Sequence, residues 1–239
     1  MPALWYKGEN RAADGLLTII HGATPKILLV LRRDHLWAFP GGFVDGNMPG
    51  RKAAEETARR EVFEETKMNV PKNLKANFLG YYTEKDRDPR STRRDWVTTQ
   101  VFHYDLGYVK REPPVTHEED PDYSEKSGLL DVKWWSLEDA LMLSWFADHN
   151  LIYVDFLDKI GYEPSHDTYP YYAAIQTKYV LGSFRKDKKN FKQIRKALEM
   201  NQSEFASFLK TSTYYVRKWE KFGKIPREIW EFLAMELMI

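Results

Sequence analysis

Arg60-Glu61-Val62-Phe63-Glu64-Glu65 sets three carboxylates and an arginine within six residues, shortly after the glycine pair Gly41-Gly42. On a helix, Glu61, Glu64 and Glu65 fall at i, i+3 and i+4, so their side chains leave from one stripe about a turn apart. Three like charges on a stripe repel. A solvated acidic face tolerates that repulsion, and a hard divalent cation neutralises it. Ala54, Ala58 and Val62 give the same helix an apolar inner face, and Arg60 stands beside the acids. Oxygen-only ligands suit Mg2+ or Mn2+ rather than zinc, and such an ion bridges to phosphates and acidifies a water. The chemistry implied is hydrolysis of a phosphoanhydride.

A second charged stretch, Glu84 to Trp96, contains Arg87-Asp88-Pro89-Arg90. A solvated hairpin loop is one reading of it. Proline fixes the backbone there, however, and arginines fork onto phosphate or ribose oxygens, which makes Arg87, Asp88 and Arg90 candidate substrate contacts. Trp37 and Phe39, just before the glycine turn, offer aromatic faces for a base or for the core. His117-Glu118-Glu119-Asp120 is a third acidic loop, either solvated or the source of a general base, with Glu118 or Glu119 as the candidate and Glu64 or Glu65 as the alternative. His103 and His149 read as structural histidines.

These groups need a frame. Leu16 to Ile20 and Ile27 to Leu31 read as a hairpin about Gly22-Ala23-Thr24-Pro25. Ala53 to Glu65 reads as the carboxylate helix, ended before Pro71. Phe78 to Thr83 and Thr98 to Leu106 read as strands around the arginine loop, and Lys133 to Ser136 as another. Leu137 to Phe146 reads as a closing helix with Ser136 as N-cap. Tyr162 to Lys189, punctuated by Pro164, Pro170 and Gly182, reads as a linker in which Tyr171 to Leu181 forms a short helix.

The carboxylate segment resembles the Nudix box, in which a glycine is followed at fixed spacing by a glutamate and then by Arg-Glu-aliphatic-x-Glu-Glu-x-Gly. The resemblance implies an α/β class protein, an α/β/α sandwich with a mixed sheet, with Gly42, Glu61, Glu64 and Glu65 holding the metal and Arg60 and Glu118 joining the glutamates in catalysis. This chain departs from the pattern. The loop around Met48-Pro49-Gly50-Arg51-Lys52 is longer, Asn47 stands where the first glutamate is expected, and Lys67 replaces the closing glycine. A non-glycine residue in a left-handed cap costs roughly 1 kcal/mol, which Asn69 would relieve by taking the turn. Asp88-Pro89-Arg90, with Trp96 and Thr98-Thr99 after it, is similar to the ADP-ribose pyrophosphatases of that superfamily, which implies cleavage of ADP-ribose to AMP and ribose 5-phosphate.

The end of the chain has another character. From Arg185 onward there are 13 Lys/Arg against 7 Asp/Glu, a net +6, which leaves −5 on the rest of a chain whose total is +1. Such asymmetry points to two modules with different partners. Asn201 to Ala206 and Ser212 to Glu220 read as two helices about a tight turn, a pattern similar to the helix-turn-helix of the Cro and phage-repressor class. That resemblance implies a small all-α DNA-binding domain with Thr213, Tyr214, Arg217 and Lys218 at the major groove and Gln202 near a phosphate. A protein-contacting helical bundle is the other reading. Lys210 stands where the turn usually has glycine. The domains expected are 1–161, a linker 162–189, and 190–239.

The 239 residues contain no cysteine, so disulfides and thiolate metal sites are excluded. No apolar signal core or bilayer-length segment is visible, and a cytoplasmic protein without membrane contact is expected. Two functions remain open: an ADP-ribose hydrolase with a DNA-binding appendage, or a transcription regulator sensing ADP-ribose or another NAD metabolite through a weakly active or inactive Nudix domain. Hydrolysis of NADH or a dinucleotide polyphosphate is a third reading. Modules of both kinds commonly work as dimers, and a homodimer is expected.

Overall fold

The computed structural model describes residues 4–116, 128–175, 188–198, 200–226, 228–229 and 232–233. The chain divides into two compact units, Met1–Glu163 and Pro164–Ile239.

The first unit is built on a seven-stranded mixed sheet. β1 (Gly8–His21) and β2 (Thr24–Arg32) form the expected hairpin, with His21 opposite Thr24 across the Gly22-Ala23 turn. β3 (Trp37–Ala38) pairs with β2, and β4 (Gly41–Phe43) returns to pair with β1. β5 (Asn77–Tyr82) and β6 (Asp95–Val109) flank the arginine loop, and β7 (Leu129–Ser136) lies antiparallel on β2. A parallel pairing joins β1 to β6 along most of both strands, from Gly8 beside Asp95 to His21 beside Val109.

Side chains alternate across β1, so the strand serves two cores. Ala13, Leu17 and Ile19 pack with Phe102 and Tyr104 of β6 and with Ala54, Ala58 and Val62 of helix α1 (Arg51–Thr66). On the other face, Thr18 meets His103 Nε2 at 2.8 Å, and the His103 ring stands edge-on to Phe156 of helix α3 (His149–Ile160). Helices on both faces of a mixed sheet make an α/β/α sandwich.

Two local expectations are corrected. The closing helix is not Leu137 to Phe146. Ser136 does cap its start by accepting from Asp139 N, but α2 ends at Ala140 (Leu137–Ala140). Trp145 Nε1 donates to the Ala140 carbonyl at 3.0 Å, while Trp37 N–H donates to Ser144 O and Phe146 N–H donates to Trp37 O, so the chain is drawn onto β3 and turns helical again at His149. Nor does Asn69 cap α1. Lys67 itself adopts the left-handed conformation, φ 55°, and donates its N–H to Phe63 O.

In the second unit, residues 169–175 are helical (α4), and the rest of the expected Tyr171 to Leu181 helix lies outside the described residues. α5 (Lys188–Ala197), α6 (Gln202–Phe208) and α7 (Thr213–Phe222) close on Phe191, Ile194, Phe205, Leu209, Val216 and Trp219. Asn201 caps α6 through a reciprocal capping box with Glu204.

Candidate active site

Gly41 and Gly42 bring β4 against acidic side chains at a distance that no other residue type permits. A Cβ on Gly41 would fall 2.1 Å from Asp14 Oδ1 and 2.7 Å from the Ala13 carbonyl, and one on Gly42 would fall 2.3 Å from Glu61 Oε1. The Gly41 N–H donates to Glu65 Oε2 at 3.0 Å, and Thr99 Oγ1 donates to Asp14 Oδ2 at 2.6 Å. Burial, then the charge of Glu61, pushes the Glu65 carboxyl up to about 8 against the pull of the Gly41 N–H. Burial likewise raises Asp14 to about 6, with Thr99 and Arg87 opposing it. Glu61 is raised too, by burial first, while Arg60 pulls it down.

The three box glutamates do not converge as expected. Among the described residues, no three His, Asp or Glu side chains form a group able to hold a metal ion. Arg60 is the reason: its guanidinium reaches Glu61 at 2.7 Å and Glu64 at 2.6 Å, and so shares its one charge between two of the three acids from one side. Glu64 is drawn outward, its side chain half exposed, while Glu65 turns inward to Gly41. The donor set still fits a hard divalent cation. It is all oxygen, the Gly42 backbone approaches Glu61 with no side chain between them, and Glu61 and Glu65 still burden each other electrostatically.

Asn47 is not a stand-in acid. Its Oδ1 accepts from Arg11 N at 2.7 Å and its Nδ2 donates to Glu9 O at 2.8 Å, which ties the lengthened loop to β1.

A cleft runs from Gly41, Gly42 and Glu65 to Arg87, Asp88 and Arg90, with Phe39, Phe43 and Phe146 along it. The Asp-Pro-Arg turn closes on its own ion pair. Asp88 accepts from the Arg90 backbone at 2.8 Å and from its guanidinium at 2.9 and 2.7 Å, and Arg87 makes a buried two-pronged pair with Asp148 at 2.9 and 2.6 Å. The Arg90 guanidinium lies 5.0 Å from the Phe43 ring centre, and Arg32 lies 3.7 Å over Phe146. Of the two expected aromatics, Phe39 lines the cleft and Trp37 does not. The Trp37 ring packs edge-on to Trp135 at 5.1 Å, and β3 ends at Ala38, so Phe39 follows the chain out of the strand and into the cleft. Glu118 lies outside the described residues.

Asp14, Thr99, Arg32, Asp148 and His149 belong to this site without having been singled out for it in the sequence. Asp14 lies 27 positions before Gly41 and carried no motif; only the parallel pairing of β1 with β6 brings it to Thr99. A signal for Asp148 was present, since a buried arginine needs an acid, but nothing local pairs it with Arg87.

In the second unit, Lys210 takes the left-handed turn between α6 and α7 at φ 52°. Tyr214, Arg217 and Lys218 are exposed on α7 and Thr213 is half-buried. Gln202 is engaged with its own unit: Nε2 donates to Glu220 at 2.6 Å, and Glu220 also holds Arg195 at 2.6 Å.

Among the described residues, no helix is long and apolar enough to cross a membrane. The chain is 45% identical over 70 residues to a Bacillus subtilis (strain 168) protein named "Putative 8-oxo-dGTP diphosphatase", a match that spans 29% of this chain and 42% of that protein. The NUDIX domain of Shewanella oneidensis NrtR, solved in complex with ADP ribose, superposes with a TM-score of 0.52 at 24% identity, covering 65% of this chain and 90% of that one. A MutT/nudix family protein from Enterococcus faecalis gives 0.50 at 20% identity, over 91% of this chain and 82% of that one. At these identities the two likenesses concern the fold. The family description NUDIX domain matches residues 10–157, a span that takes in β1, the glycine turn, α1 and the arginine loop, and the chain belongs to the Nudix family.

Proposed function

We propose that this protein is a Mg2+- or Mn2+-dependent Nudix hydrolase that adds water across the pyrophosphate of ADP-ribose, releasing AMP and ribose 5-phosphate, and that its C-terminal unit binds DNA. The observation that carries the hydrolase reading is a cleft with an acidic end, Glu65 beside Gly41 and Gly42, and an arginine and aromatic end at Arg87, Arg90, Phe39 and Phe43. A nucleoside diphosphate needs both ends.

A cation held by Glu61, Glu64, Glu65 and the Gly42 backbone would shield phosphoryl charge and acidify a water. The protein's own part is positional. Gly41 N–H fixes Glu65, Arg60 holds Glu61 and Glu64 until they are needed, and Asp148 and Asp88 hold Arg87 and Arg90 at the far end. Glu118 is the proposed general base. The complex of the NrtR NUDIX domain with ADP ribose supports this substrate class.

A second reading is favoured by the outward Glu64 and by the exposed basic face of α7: a regulator whose Nudix unit senses ADP-ribose without turning it over. Incubation with ADP-ribose and Mg2+, followed by measurement of AMP, separates the two. AMP formation lost in Glu64→Gln and Glu65→Gln supports the enzyme. No AMP, with ADP-ribose releasing the protein from DNA, supports the regulator. DNA binding itself is tested by gel shift of the full chain, and the expected homodimer by sedimentation.

A further inference from the structure

His149 is almost wholly buried in the wall of the cleft, and its ring stacks on Phe39 at 5.2 Å. The Phe39 backbone N–H donates to His149 Nδ1 at 3.0 Å. A nitrogen that accepts carries no proton, so the neutral ring bears its hydrogen on Nε2. Turning the ring over would set a carbon against the Phe39 N–H and forfeit the bond. Burial, reinforced by Arg87 and Arg32, holds the imidazole well below its usual range and therefore neutral.

The other end of the ring is what the fold leaves open. Among the described residues Nε2–H has no hydrogen-bond partner, and it is not among the side-chain atoms sealed from solvent without one, which are Tyr104 Oη and Trp135 Nε1. It therefore opens onto the cleft that the ring lines. Its neighbours in that wall, Arg87 and Arg90, are committed to Asp148 and Asp88.

We infer that His149 is a specificity-determining hydrogen-bond donor, its Nε2–H placed to meet a phosphate oxygen of the nucleoside diphosphate; this rests on the proposed substrate class. A neutral donor adds direction without another charge, and a ligand lacking an acceptor there leaves the N–H unpaired, the arrangement by which polar sites discriminate most strongly.

Imidazole 15N–1H spectra of the full chain with His149 assigned provide the test, using AMP and inorganic phosphate as probes and calorimetry for affinity. Expected are an Nε2–H tautomer without protonation near neutral pH, and an Nε2–H resonance that moves when either probe binds while the Phe39 amide bond to Nδ1 persists. His149→Phe keeps the stacking ring and is expected to weaken AMP binding about tenfold. Should the variant unfold, the wild-type spectra decide alone. An Nδ1–H tautomer, or AMP binding that leaves the Nε2–H resonance unmoved, overturns the donor role while the substrate class stands. A wild-type protein that binds neither AMP nor ADP-ribose overturns the substrate class, and the donor role with it.

Discussion

Replacing Glu65 by Gln should stabilise the metal-free protein while removing a group proposed to be essential. Glu65 is raised from 4.5 to about 8, by burial and then by Glu61, so its sign is that of a raised acid. It favours the folded state below 4.5, and that contribution is lost as pH rises towards 8. At neutral pH the interval already crossed is worth about 3 kcal/mol at roughly 1.36 kcal/mol per pH unit. Glu65 keeps one side on the cleft, where water screens it, so about 2 kcal/mol is the working figure. Gln matches the shape, its carbonyl can still accept from Gly41 N–H, and it never ionises. In EDTA at neutral pH, melting of a unit this size should shift upward by about 4–8 °C in the variant. The gain should shrink towards zero near pH 4.5 and grow towards pH 8. Mg2+ should raise the melting temperature of the wild type more than that of the variant. A variant no more stable than wild type at neutral pH, or a gain that does not change with pH, would refute the placement of Glu65 as a buried, mutually repelled acid.

Lys67→Gly relieves a left-handed lysine at the end of α1 and should raise stability by about 0.5–1 kcal/mol, read as a melting shift of about 1–4 °C. Asp148→Ala strands the buried Arg87 guanidinium and should cost about 3–5 kcal/mol in denaturant unfolding; a loss below about 1 kcal/mol would show that the pair is dispensable. If α7 meets DNA, Arg217→Ala should weaken binding and reduce the salt slope by about one, whereas the same substitution leaving both unchanged would remove that helix from the interface.

The catalytic-type groups were readable from the sequence because their spacing is local. Glu61 and Glu65 share a helical stripe, and Asp88-Pro89-Arg90 is a turn that closes on itself. What the sequence hid is what distant partners decide. The splaying of Glu64 from Glu65 begins with the roughly 100° between neighbours on a helix, and Arg60 on one side and the Gly41 N–H on the other hold the two ends apart, partners that the spacing alone does not name. The end of α2 at Ala140 is set by Trp145 and by β3, neither of which leaves a mark on the helical pattern of Leu137 to Phe146. Trp37 and Phe39 look alike as aromatics before a glycine turn; their distant partners, Trp135 for the one and His149 for the other, separate them.

The length of β1 has a mechanical meaning. One strand carries β4 and the acidic end of the cleft along one edge and, along the other, β6, whose first residues follow directly from the arginine loop. The separation of the two ends is thus counted in strand residues, about 3.3 Å each, instead of being adjustable by a hinge. Slippage by one residue would carry Asp14 to the opposite face, away from Thr99. The site should therefore behave as a gauge block: ligand affinity should hold nearly constant on warming and vanish together with the sheet, and the amides of β1 should be among the last to exchange with solvent.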